Sequence, residues 1–555
     1  MTNYEIADSF SLLSKLMDIH GEDSFKARSY SAVAFAIEKL PVQLSETDPA
    51  SIASIKGIGT SSSKKITELL NTGKLEQLEK ILLSTPAGVA DMLNIKGIGP
   101  KKIHTIWKEM ELENIGELLY ACKENRLKLY KGFGEKTQET IAGNIEFYLS
   151  NKGNYLYAQT LFAAEQFMLL LKKLFPGKKV FYTGAFARQM EIITELEFVA
   201  EEDMLTAEKI LSLQEGFEPV KKDHEKLVYK TPAGINITVY PVTENITEKL
   251  IETSCSEAFL SALKNDHPAE PGATDEASYF NRRNLPFIPA FAREDPEMIG
   301  SGNDFSVHLQ HTDVKGLIHC HSNWSDGNNT IEEMAIAAAE RGMEYLAISD
   351  HSKTAAYAQG LREEQIQAQH LYIDELNEKL KPFKIFKSIE SDILGDGSLD
   401  YSTGILSTFD LVIASVHSNL KMTEEKAMAR MLAAIENPYT TILGHMTGRL
   451  LLSRPGYPLD FIKIIDACAA NHVVIELNAN PNRLDMDWRY IKYALSKNVL
   501  ISVNPDAHST KGIDDIKYGI FSAQKAMLPK EKNLSSFSRP AFEAFLTERK
   551  KMKGI

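Results

Sequence analysis

The chain has 555 residues, 43% apolar and 25% charged, the balance of an ordinary globular chain long enough for several domains. No apolar run reaches the ~18 residues of a membrane span, and the N-terminal MTNYEIADSF carries early acids with no apolar core of a signal peptide, so a cytoplasmic chain without membrane association is expected. Four scattered cysteines (Cys122, Cys255, Cys320, Cys468) exclude a disulfide or zinc-ribbon framework, and a net charge of −13 means that any nucleic-acid binding must come from local features.

The first element is a repeat. IKGIG spans 55–59 and recurs at 95–99, a looser YKGFG spans 130–134, and helix-forming residues flank each copy. The pattern resembles the helix-hairpin-helix motif. Gly57, Gly59, Gly97, Gly99, Gly132 and Gly134 allow a tight turn and close backbone approach, and the next helix N-terminus offers N–H groups to a phosphate. Lysines follow each turn: Lys64, Lys65, Lys101, Lys102 and Lys136. A single copy reads as a glycine-terminated turn in a helical bundle. Repetition with lysine each time reads as sequence-independent binding to the DNA backbone.

FKARSYSAVAFAIEKLP (25–41) and IKGIGTSSSKKITELLNTGKLEQLEKI (55–81) resemble the lyase and fingers subdomains of family X DNA polymerases. In some members a lysine after the first hairpin forms a Schiff base with a 5′-deoxyribose phosphate. The resemblance maps that position to Lys65, with Lys26 and Tyr30 as supporting groups and Ser61 where a further basic residue is usual. Otherwise Lys65 is a phosphate-contacting or solvated lysine, because amine nucleophilicity needs a depressed pKa.

An apolar strand at 180–182 then runs into a Gly turn, followed by Arg188 and the alternation Glu195-Leu196-Glu197-Phe198-Val199. Glu195 and Glu197 point to one face of the strand, as metal-holding acids on a sheet do. The resemblance to the family X palm continues here with departures. Gly184-Ala185 stands for Gly-Ser, Glu195 and Glu197 for two aspartates, Asn236 for the third aspartate, and Thr238 for an arginine. TSCSEAFLSALK (253–264) lacks the thumb's glycine and asparagine. Two-metal transfer holds ions roughly 3.5–4 Å apart with fixed carboxylates, Mg²⁺ tolerates poor octahedral geometry badly, and an ångström of misplacement costs about 100-fold. A palm that keeps its fold and has lost polymerisation is expected, the alternative being a repurposed Glu–Glu metal site.

Residues 266–312 read as a Pro/Gly/Asp-rich linker and the end of the thumb. Beyond 314, GLIHC, YLAIS, FKIFKSIE, DLVIASV, TILG, VVIELN and VLISV alternate with amphipathic helical segments, which predicts a (βα)₇ barrel with its chemistry at the C-terminal strand ends. His319, His321, Asp326, His351, Glu390, His417, His445, Asp506 and His508 fall there, and no catalytic serine, nucleophilic cysteine or phosphate loop sits among them.

HCHSNWSDG, ISDHS, ASVHS, GHMTGRLL and PDAHS resemble the PHP (polymerase and histidinol phosphatase) family. That resemblance implies three divalent ions, of Mn, Zn or Fe. His319, His321, Glu390 and Asp506 would hold the first; Glu390, bridging, with His417 and His445 the second; Asp326, His351 and His508 the third. Catalysis would rest on Glu390, His417 and Asp326, with Arg449 the favoured phosphate cation among Lys353, Arg449, Arg454 and Arg483. Leu317 replaces an aspartate that often precedes the first histidine.

The whole chain resembles a bacterial family X DNA polymerase with a C-terminal PHP domain. The implied fold is multidomain α + α/β: a lyase-like helical domain (1–82), fingers with hairpin repeats (83–150), palm, thumb and linker (151–312, α+β), and a distorted seven-stranded PHP barrel (313–555). The expected function is metal-dependent 3′–5′ exonuclease or 3′-end processing on gapped or 3′-ended DNA, in a monomeric, nucleoid-associated protein. The alternatives are an active gap-filling polymerase with a PHP exonuclease, and a PHP phosphatase of small phosphomonoesters.

Overall fold

The structure, a computed structural model, describes residues 1–555 apart from 124, 125, 152, 233, 269–271, 303, 306, 453 and 454. It divides into two compact units, Met1–Lys152 and Gly153–Ile555. Among the described residues no helix is long and apolar enough to cross a membrane.

The first unit is helical. A Thr2–Glu5 capping box opens the helix Asn3–His20, and Gly21 in the left-handed region ends it. Ile6, Phe10, Leu13 and Met17, at helical spacing, form its buried stripe. The glycine turns share one geometry. Gly57, Gly97 and Gly132 have φ of 93°, 85° and 94°, values open to glycine at little cost. Ile58, Ile98 and Phe133 each donate a backbone bond three residues back, at 3.0, 3.2 and 3.1 Å, and bury their side chains. The turns lead into the helices Thr60–Thr72, Pro100–His104 and Glu135–Asn151.

In the second unit the helix Tyr157–Leu174 precedes a five-stranded sheet: β1 (Val180–Thr183), β2 (Glu195–Ala200), β3 (Glu218–Lys222), β4 (Leu227–Lys230) and β5 (Asn236–Pro241), in the order β1-β2-β5-β4-β3. β2 and β5 run parallel, with Glu195 opposite Asn236 and Glu197 opposite Thr238. Helices Ile246–Ser254, Glu257–Asp266 and Glu276–Asn281 follow around a small core of Phe259, Leu263, Phe280 and Ile288. Part of the expected linker, at 269–271, 303 and 306, lies outside the described residues.

Seven parallel strands then form the nearly closed barrel expected from the sequence: β6 (Gly316–Cys320), β7 (Tyr345–Ile348), β8 (Lys384–Asp392), β9 (Leu411–Ser415), β10 (Ile442–Leu443), β11 (Val474–Asn478) and β12 (Ile501–Asn504), each paired with its neighbour in chain order. Each strand is buried along its length apart from single positions in β8, as parallel strands covered on both faces are. Among the described residues the ends meet at a single bridge, where His321 N–H donates to the Ala507 carbonyl at 2.8 Å and Ala507 N–H to the His319 carbonyl at 3.3 Å. The last helix, Arg539–Lys553, covers the N-terminal end of the barrel, with Phe542 and Leu546 packed on Tyr345, Phe386 and Ile413. The opposite end is left to the loops that carry the polar residues.

Candidate metal centre

The nine barrel residues converge because each ends a strand, or opens the loop after it, on one rim. Glu390, 1% exposed, is the hub. Its Oε1 lies 3.4 Å from His319 Nε2, 3.2 Å from His417 Nε2 and 2.9 Å from His445 Nε2. Its Oε2 lies 3.6 Å from His321 Nε2 and 3.0 Å from His351 Nδ1. Asp506 Oδ1 stands 3.5 Å from His319 and 3.2 Å from His321. Asp326 stands 3.6 Å from His351 and 3.4 Å from His508. Asp506 holds φ of 52°, a left-handed conformation uncommon outside glycine.

The donor set fits divalent ions. Groups of the right size form at His321, Asp326, His351 and His508; at His319, His321 and Asp506; and at His351, Glu390 and His417. His319 Nε2, both His321 ring nitrogens and Glu390 Oε2 are buried and make no hydrogen bond among the described residues. Groups that costly to bury are expected to have a partner, and mixed imidazole and carboxylate donors suit Mn, Zn or Fe. The electrostatics agree. Burial opposes charge on His351 and His417, yet Glu390 raises them to about 10 and about 9. Burial likewise opposes ionisation of Glu390, and His417, His319 and His351 hold it well below the usual carboxylate range. An entering cation displaces those protons, so its affinity rises with pH.

Two buried carboxylates behind the rim were not singled out in the sequence as site groups. Glu476 Oε1 accepts a bond from His319 Nδ1 at 2.6 Å and Oε2 one from the His445 N–H at 2.8 Å. Asp392 accepts one from His417 Nδ1. The signal available was an acid inside an apolar strand run, VVIELN. Asp350 serves the loop after β6, accepting from the Ser322 N–H, the Ser322 hydroxyl and Gln369 at 2.7, 2.6 and 2.7 Å.

Of the cations, Arg449 is bound to Asp487 at 2.9 Å, to the Arg483 carbonyl at 2.9 Å and to the Leu484 carbonyl. Arg483 approaches the rim, 3.6 Å from Asp506 Oδ2. Lys353 is exposed, 3.5 Å from Glu363. Arg454 lies outside the described residues.

The five-stranded sheet holds its acids differently. Glu195 accepts from the Thr238 hydroxyl, and Glu197 from the Tyr240 hydroxyl at 3.0 Å. Glu197 lies so close over the turn that a Cβ on Gly184 would sit 1.6 Å from its Oε2. Burial, then Glu195, pushes the Glu197 carboxyl up. Arg188 is held by Glu294 at 2.7 Å and donates to the Cys255 carbonyl at 3.2 Å. None of the ion-sized groups among the described residues includes Glu195, Glu197 or Asn236.

In the first unit a Cβ at Gly59, Gly99, Gly132 or Gly134 would meet nothing within 4 Å, so these turns face open space. Lys101 is exposed, Lys65 and Lys102 partly so. Lys102 reaches back to the Gly97 carbonyl at 3.2 Å. Lys65 Nζ stands 5.9 Å from the Tyr30 ring centre, and Tyr30 donates to Gln77 at 3.1 Å.

Comparison with known proteins follows the same divisions. Residues 1–75 match a helix-hairpin-helix domain, 89–142 a SAM-like helix-hairpin-helix tandem, and 318–480 the PHP domain. The DNA polymerase/3′-5′ exonuclease PolX of Bacillus subtilis (strain 168) is 29% identical over 552 residues, 96% of each chain. A probable phosphatase of Thermoanaerobacter sp. (strain X514) is 29% identical over 194 residues, 32% of this chain and 73% of the relative. One of Syntrophotalea carbinolica is 30% identical over 165 residues, 29% of this chain and 64% of the relative. A similarity that runs almost end to end, over paired hairpin domains and a metal-ready barrel, makes the chain a homologue of the family X DNA polymerases that carry a C-terminal PHP domain.

Proposed function

We propose that the barrel is a divalent-metal phosphodiesterase that removes nucleotides from DNA 3′ ends, that the hairpins supply the DNA affinity, and that the palm no longer polymerises. The observation that carries the first part is Glu390, one buried carboxylate with five imidazoles within 3.6 Å. Divalent ions bound by such a set supply Lewis acidity toward water and phosphate oxygens. Glu390, with His417 and His445, and the Asp326–His351–His508 group fix where those charges stand. Arg483, beside Asp506, is the cation that meets the non-bridging phosphate oxygens. Arg449, tied to Asp487, holds the loop that carries Arg483. Water adds at phosphorus and the 3′ oxygen of the penultimate nucleotide leaves, releasing a 5′-mononucleotide.

Loss of polymerisation rests on Glu197. Its carboxylate covers Gly184, the turn where an incoming triphosphate would need to bind.

Chelation should abolish degradation of an end-labelled strand, and Mn²⁺ should restore it; degradation that persists in chelator contradicts the reading. The similarity to probable phosphatases favours a second reading, hydrolysis of small phosphomonoesters, for which inorganic phosphate rather than mononucleotide would be released.

The hairpin turns give a separate expectation. Gly97→Val with Gly99→Val places a β-branched residue at φ of 85° and distorts the N–H groups offered to a phosphate. DNA affinity should fall roughly tenfold, the loss of ~1.4 kcal/mol, and hydrolysis of a small chromogenic phosphodiester should stay unchanged. Wild-type binding should weaken steeply with salt and be indifferent to sequence. Unaltered DNA affinity in the folded variant counts against a role for the turns.

A further inference from the structure

We infer that Glu476 and Asp392 are positioning residues: two carboxylates behind the rim that set the tautomer and aim of His319 and His417 and thereby tighten the hold on divalent ions. The inference rests on the metal-dependent reading of the barrel. Glu476 is fully buried on β11. Its oxygen stands 2.6 Å from His319 Nδ1, so the ring proton that a bound cation would leave in place sits on that nitrogen. His319 Nε2 faces the rim, 3.4 Å from Glu390 and 3.5 Å from Asp506, with no hydrogen bond among the described residues, and its lone pair is the one a cation would take. That is the form in which an imidazole ligates a cation.

The same carboxylate does more than orient one ring. Its other oxygen accepts the backbone N–H of His445 at 2.8 Å, so it also fixes the residue whose Nε2 stands 2.9 Å from Glu390. Asn504, on β12, donates to Glu476 Oε1 at 2.8 Å and keeps the carboxylate from turning. Ligands from β6 and β10 are thus referred to one buried acid.

Asp392 repeats the device across the rim. It is 3% exposed and accepts from His417 Nδ1, leaving His417 Nε2 3.2 Å from Glu390. The Ser352 hydroxyl accepts the Asp392 N–H at 2.9 Å, which ties it to the loop that begins at His351. Neither acid belongs to the ion-sized groups themselves. No lysine or arginine pairs with Glu476 or Asp392 among the described residues. Their negative charge is therefore spent on histidines that face the ions, which raises the basicity of those ligands.

The test uses the full chain as wild type, Glu476→Gln and Asp392→Asn, stripped with chelator and titrated with Mn²⁺ by equilibrium dialysis. Co²⁺ absorption is recorded as a signature of the ligand field, together with thermal unfolding of the metal-free chains. Each variant should bind its tightest ion 10–100-fold more weakly and shift the Co²⁺ spectrum, with metal-free unfolding within about 2 °C of wild type. Unchanged affinity and spectrum would overturn the inference. So would a loss of affinity that only tracks destabilisation of the metal-free chain, because that marks a structural acid. If Glu476→Gln does not fold, Asp392→Asn decides by the same criteria. If the wild-type chain itself takes up no divalent ion, it is the metal-dependent reading that has failed.

Discussion

Glu390→Gln should lower 3′–5′ degradation by about 1,000-fold and strip the barrel of more metal than any other single substitution. Glutamine keeps the shape of the side chain and removes the charge that five imidazoles surround at 2.9–3.6 Å. Positioned cations contribute several kcal/mol of transition-state stabilisation, and each ~1.4 kcal/mol is tenfold in rate. His508→Ala should also cost most of the activity, yet retain more metal. Among the acids of the rim His508 approaches only Asp326, at 3.4 Å, and Asp506, at 3.8 Å, whereas Glu390 has five imidazoles within 3.6 Å. Elemental analysis of the purified variants alongside their rates checks the ordering. Equal metal loss in the two would mean that Glu390 does not bridge.

The palm should be silent. Wild-type protein is expected to extend no primer above background with Mg²⁺ or Mn²⁺ and to bind deoxynucleotides no better than Glu197→Ala does. None of the ion-sized groups among the described residues includes Glu195, Glu197 or Asn236, and Glu197 covers the turn at Gly184. Glu197→Ala should leave exonuclease activity within about twofold of wild type, since every ion-sized group among the described residues is built from barrel residues alone and effects of unconnected sites are close to independent. A nucleotide that bound wild type tightly, with loss in Glu197→Ala, would show a working pocket instead.

Much of this was legible in the sequence, for identifiable reasons. Strand ends of a (βα)₇ barrel project to one rim, so the HCH that closes GLIHCH, the acid ending FKIFKSIE and the histidines after DLVIASV and TILG could be placed together without coordinates. The hairpin repeats announced themselves because only glycine takes φ near 90° cheaply. The choice of Arg449 over Arg483 as the phosphate cation had no such support. Both lie in loops, and which guanidinium meets Asp487 and which meets Asp506 depends on tertiary paths that no local pattern encodes. Glu476 was hidden for a related reason. In an apolar strand it reads as an exception, and its meaning comes from His319, 157 positions earlier. Nor could the Glu195–Glu197 alternation reveal that Glu197 covers Gly184, because that contact joins two chain segments across the sheet.

The most direct measurement is a 5′-labelled primer annealed to a longer template, incubated with the full chain and Mn²⁺ with and without deoxynucleotides, beside Glu390→Gln. The account predicts a ladder of shortened primers in both wild-type lanes, no product longer than the primer, and an intact primer with Glu390→Gln. Template-directed lengthening in the presence of nucleotides, or shortening that survives Glu390→Gln, would contradict it.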